Sequence, residues 1–100
     1  MLRLAIFTCL CLAASALPGH AALAPQYQRL AELRAILASD AVMGRLSGAP
    51  VDRVEYVSPD LYRVTAGACT LEVKIVSVPE PEPMPGPRKF TVAPGLYACR

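Results

Sequence analysis

The residues of this chain that could do chemistry are few: Cys9, Cys11, Cys69, Cys99, the single histidine His20, and the closely spaced carboxylates Glu80 and Glu82. A Ser/His or Cys/His nucleophile system needs an imidazole beside the attacking atom, and most zinc sites need one as a ligand. His20 lies in an N-terminal segment that reads as removable, so the remaining chain has none. Cys69 and Cys99 are far apart in sequence, unlike the Cys-x-x-Cys spacing of a redox pair. Glu80 and Glu82 sit in the run Pro-Glu-Pro-Glu-Pro, where no regular element would hold them around a substrate. Neither a phosphate-cradling glycine loop nor a calcium-loop pattern is found. The expectation is a protein that is not an enzyme, with no catalytic residues, no cofactor and no metal.

The N-terminal segment decides which of these residues matter. Met1 and Arg3 precede the apolar run Leu4 to Ala14, and the breaker pair Pro18-Gly19 then leads into small residues. This is the order of a secretory signal peptide, residues 1–21. A transmembrane span would need about 20 apolar residues, more than this run supplies. Cleavage after Ala21 leaves Gly19 and Ala21 as the two small residues, whereas cleavage after Ala24 would put Pro25 just past the cut. A lipid anchor at Cys9 or Cys11 lacks a small residue before the cysteine. Cleavage would leave residues 22–100, one small domain of 79 residues (100 minus 21), and such domains often need a staple. Cys69 and Cys99 would then enter an oxidising compartment, periplasmic or extracellular, and form a disulfide. Without Arg3 the domain keeps nine Lys/Arg against eight Asp/Glu, a net charge of +1 that argues against a nucleic-acid partner. No membrane span is expected after processing.

The elements that must position Cys69 and Cys99 are legible from period. From Leu61 to Val78 the chain reads as a β-hairpin. Tyr62, Val64 and Ala66 alternate with Arg63 and Thr65, and Cys69, Leu71, Val73 and Ile75 alternate with Thr70, Glu72 and Lys74. The apolar positions are even in the first run and odd in the second, so paired residue numbers must sum to an odd value. A two-residue loop at Gly67-Ala68 satisfies this, pairing Ala66 with Cys69, Val64 with Leu71 and Tyr62 with Val73. Gly67 suits the first central position of a type II′ turn, which needs positive φ. On the other face Arg63 falls opposite Glu72.

Residues 51–57 read as a preceding strand, with Val54 and Tyr56 inward and Arg53 and Glu55 outward. A three-residue loop, Ser58-Pro59-Asp60, sets Tyr56 opposite Tyr62 and Val54 opposite Val64. Glu55, Arg63 and Glu72 then form a row on the outer face. Residues 88–93 read as a fourth strand beside the third, with Phe90 and Val92 inward. Cys99 has the wrong parity to face Cys69 unless one extra residue is inserted, and Pro94-Gly95 is the natural place for that bulge.

Before the sheet, Tyr27, Leu30, Leu33, Leu37 and Ala41 recur at spacings of three and four after Pro25, predicting a helix over 25–46. Leu30, Leu33 and Leu37 are expected to cover the sheet, Ile36 to widen that stripe, and Arg29, Glu32 and Arg34 to face solvent. Ser39-Asp40 either caps a second short helix or lies within one that runs on, and Gly44 and Gly48 end it. The fold expectation is α+β: an N-terminal helix packed on a four-stranded antiparallel β-meander with one disulfide.

This plan, a helix followed by an antiparallel meander over residues 25–78, resembles small periplasmic modules of the PepSY or protease-inhibitor-like kind. The resemblance is one of element order and assigns no site residue. The functional expectation is an exported binding or inhibitory module acting on another extracytoplasmic protein. The alternative is an envelope-associated structural protein that self-associates through an edge strand, and a monomer or weak dimer fits either. Any partner contact is expected on the proline-rich segment 79–87 and its flank, at Glu80, Glu82, Met84, Arg88 and Lys89, because stiff extended backbone loses little entropy on docking. The plainer reading of that segment is a connector, and an edge cover is a further one.

Overall fold

The computed structural model describes residues 22–82 and 85–100. It contains two helices, α1 (Pro25–Leu37) and α2 (Asp40–Arg45), followed by four strands, β1 (Arg53–Ser58), β2 (Leu61–Ala66), β3 (Cys69–Ser77) and β4 (Phe90–Cys99). The strands form one antiparallel sheet in the order β1-β2-β3-β4, with the helices on one face. The expected signal segment, with Cys9, Cys11 and His20, lies outside the described residues, as does Met84. Among the described residues no helix is long and apolar enough to cross a membrane.

The hairpin register follows from the parity of the apolar positions. Tyr62 pairs with Val73, Val64 with Leu71 and Ala66 with Cys69, and Gly67 has φ +62°. The Asp52 carboxylate accepts a 2.7 Å hydrogen bond from the Gly67 N–H and pins the turn. Between β1 and β2 the pairs Tyr56–Tyr62, Val54–Val64 and Glu55–Arg63 also form as the alternation requires. The loop differs from the three residues expected: Ser58 pairs with Leu61, so only Pro59 and Asp60 turn the chain, and a bulge at Val57 absorbs the odd residue. Asp60 takes φ +64°, a conformation aspartate tolerates, after a proline that presets the turn.

β4 is longer than the 88–93 expected, because its bulge sits inside the strand instead of ending it. Val73 pairs with Pro94 but Leu71 pairs with Tyr97, so one extra residue enters here and Cys99 lands opposite Cys69. Cys69 and Cys99 form the disulfide. A side chain at Gly95 would lie 3.5 Å from the Glu72 carbonyl oxygen, an ordinary contact distance, so packing against β3 does not by itself demand glycine in the bulge.

Of the two readings of the span 25–46, the second short helix is the one that forms, because the Ser39 hydroxyl accepts a 3.2 Å hydrogen bond from the Val42 N–H and starts α2 afresh. Gly44, expected to end the helix, lies inside α2, and Gly48, at φ +76°, follows its end. A larger correction is rotational. Ile36 is fully buried and Glu32 is 6% exposed, whereas Leu30 and Leu37 of the expected stripe face solvent and only Leu33 packs partly on the core. Val42 and Leu46, from α2 and its end, complete the helical layer over Tyr62, Val64, Ala66, Leu71, Val73 and Ile75. On the outer face Arg63 lies 3.8 Å from Glu55, not within ion-pair distance of Glu72, so the expected three-membered row closes at one end only.

Candidate functional site

The rotation of α1 has a cause at one end of the sheet. Tyr62 is fully buried, and a buried phenol needs a partner for its hydroxyl. It donates to Glu32 Oε1 at 2.6 Å, the Gln28 amide donates to Glu32 Oε2 at 2.8 Å, and the Arg88 guanidinium lies 3.7 Å from that second oxygen. Gln28, Glu32 and Ile36 are one turn apart, so this face of α1 carries two polar residues and one apolar residue inward together. A carboxylate left unpaired at this depth would be costly, and these donors are what allow Glu32 to be buried.

Arg88 ties the same point to two other segments. Its Nη1 donates to Asp60 Oδ1 at 2.7 Å and its Nη2 to Asp60 Oδ2 at 3.3 Å, while its Nε donates to Ser77 Oγ at 3.0 Å. The hydrogen bonds it donates to Asp60 hold the guanidinium more firmly protonated than usual. Burial first, and then the hydrogen bond to Glu32, push the Tyr62 phenol well above its ordinary range. At the rim the Arg29 guanidinium stacks 3.7 Å from the centroid of Tyr56, whose ring meets Tyr62 edge-on at 5.6 Å. Tyr56, expected inward, is therefore half out of the core, serving as a lid on Tyr62. A shallow cleft of about 240 Å³ opens between Arg29, Tyr56, Asp60 and Arg88.

This arrangement is set up to hold position. Both oxygens of Glu32 are engaged and Tyr62 acts as a donor, so the cluster links α1 to the sheet and to the segment that carries Arg88. Comparison with protein-family models, with curated proteins and with solved structures finds no match. The cluster carries one direct prediction. Tyr62→Phe leaves Glu32 short of a donor and should cost about 1.5 to 3 kcal/mol at pH 7 in urea unfolding. Because the folded-state pKa of Tyr62 is raised above an unfolded value of about 10, its contribution is whole below pH ~10 and is lost as pH climbs toward the folded value. The stability gap between wild type and Tyr62→Phe should accordingly stay constant from pH 6 to about 9 and shrink above about 10; a gap that widens there would refute the assignment.

The residues expected to meet a partner are dispersed by the structure. Arg88 is turned inward onto Asp60, Ser77 and Glu32. Lys89 lies 3.7 Å from Glu80, and its carbonyl accepts a 3.0 Å hydrogen bond from the Val78 N–H, so the two ends of the proline-rich segment are fastened together. Glu82 is exposed. What sequence reasoning missed is the outward face of α1. Tyr27 is 58% exposed and Leu37 52%, with Leu30 and Leu23 also on the surface. The three-four spacing of these residues is visible in the sequence, but spacing alone does not say which way a helix faces when a polar residue anchors the opposite side.

Proposed function

We propose that this chain is an exported, non-catalytic module that binds another extracytoplasmic protein, with the outward face of α1 as its principal contact. The observation that carries this reading is the row of Tyr27, Leu30 and Leu37 held in solvent by a helix whose other face is anchored through Glu32. The three residues share one side of the helix, so a single partner can cover them together. The engaged state of Glu32, Tyr62 and Arg88 supports a binding role over a catalytic one. The disulfide between Cys69 and Cys99 supports export, since such bonds persist in oxidising compartments. Exposed Glu82 and the Glu80–Lys89 pair remain a secondary contact. Self-association through an edge strand is the weaker reading, because β4 carries Pro94 and a bulge, two features that blunt an edge.

Two measurements test the proposal. Intact mass of the protein recovered outside the cytoplasm should correspond to a chain beginning at Ala22; full-length protein confined to the cytoplasm would overturn export. A photo-crosslinking residue placed at position 30 of the exported protein should capture a different protein, whereas adducts of two identical chains would favour self-association.

A further inference from the structure

We infer that the outward seam of α1 receives an amphipathic helix that carries a carboxylate within its own apolar row. This deepens the binding reading above and rests on it. Tyr27, Leu30, Arg34 and Leu37 are separated by three, four and three residues, the a/d spacing of a helix-to-helix seam. At ~100° per residue these four side chains fall within an arc of about 80°, centred opposite Glu32. That arc is narrower than the broad apolar face with which a helix covers a core. A helix lying in a membrane interface also presents a large apolar face, flanked by several basic residues, and Arg34 is the one charge here. A narrow seam on a rigid helix fits another helix.

Charge then selects among helices. Arg34 is exposed in the middle of the seam, and among the described residues it has no carboxylate within ion-pair distance. The one acid of α1, Glu32, is on the buried side and engaged by Tyr62, Gln28 and Arg88. A second copy of this chain would therefore bring Arg34 to a seam with no acid to answer it. A partner helix with an Asp or Glu in its row satisfies Arg34, and the carboxylate supplies register.

The test uses the purified, oxidised protein and two labelled synthetic peptides of three heptads with leucine at the a and d positions. One has glutamate at its central a position and the other lysine there. Fluorescence anisotropy should show the glutamate peptide binding at least about fivefold more tightly, the preference expected of an exposed charge pair set against a like-charge clash. Arg34→Glu should reverse that preference, and Leu30→Asp should abolish binding of both. Both positions are exposed, and a thermal melt of each variant matching wild type shows the fold retained. Equal binding of the two peptides, no binding, or a preference that Arg34→Glu leaves unchanged overturns the proposal. So does sedimentation as a dimer that Leu30→Asp dissolves, or binding to phosphatidylglycerol vesicles without any peptide preference. A crosslinked partner at position 30 combined with no peptide preference would remove the acidic helix and leave the binding module standing; peptide preference from a protein that is never exported would do the reverse.

Discussion

Leu71→Ala should lower stability by about 2 to 5 kcal/mol, measured by urea unfolding of the oxidised protein. Leu71 is fully buried on an inner strand, opposite Val64 on one side and Tyr97 on the other, in the cluster that Val42 and Leu46 cover from the helical layer. Neighbours fixed by two strand ladders cannot collapse into the space left behind, so the loss combines apolar transfer with a cavity. The same logic separates the two faces of α1. Ile36→Ala removes a fully buried side chain and belongs in the same range, whereas Leu37→Ala, at a half-exposed position, should stay within about 0.5 kcal/mol. A Leu37→Ala cost exceeding that of Ile36→Ala would mean the helix packs in the orientation its leucine spacing first suggests.

Strand registers follow from parity, because a one-residue slip would turn Val64, Leu71 and Val73 to solvent together, and only one register avoids it. The same arithmetic placed the bulge near Pro94-Gly95, since Cys99 could not otherwise oppose Cys69. Helix orientation has no such constraint. The spacing of Leu30, Leu33 and Leu37 suggests one inward face with Ile36 at its margin, whereas Ile36 is the residue of that helix fully buried in the core. The choice turned on Glu32, which looks like a surface residue until Tyr62, thirty positions away, is seen to need an acceptor. A long-range polar pair leaves no periodic trace. Arg88 shows the same limit: a basic residue beside a proline-rich loop reads as exposed, and its three partners, Asp60, Ser77 and Glu32, come from three separate segments.

Removal of the disulfide should cost about 3 to 4 kcal/mol. Cys69 and Cys99 are 30 residues apart, and closing a loop of that length restricts the unfolded chain by roughly this amount in the chain-entropy model. For a domain of this size the whole folding free energy is on the order of 5 to 15 kcal/mol, so the bond is a large share of it. The paired variant Cys69→Ala with Cys99→Ala should melt roughly 12 to 30 °C below the oxidised wild type, and reductant should bring the wild type to nearly the same temperature. The loss should be uneven. Up to the bulge β4 is held by its pairing with Val73, Lys74, Ile75 and Val76 and by the 2.6 Å hydrogen bond from Arg45 to the Gly95 carbonyl, whereas Leu96 to Arg100 are exposed and depend on the last few ladder positions and the disulfide. Amide exchange in the paired variant should therefore accelerate first at Tyr97 to Arg100, well before residues 90–93. Melting within about 2 °C of the oxidised protein, or uniform acceleration along β4, would show that the packed core alone closes the sheet and that the bond is incidental to the fold.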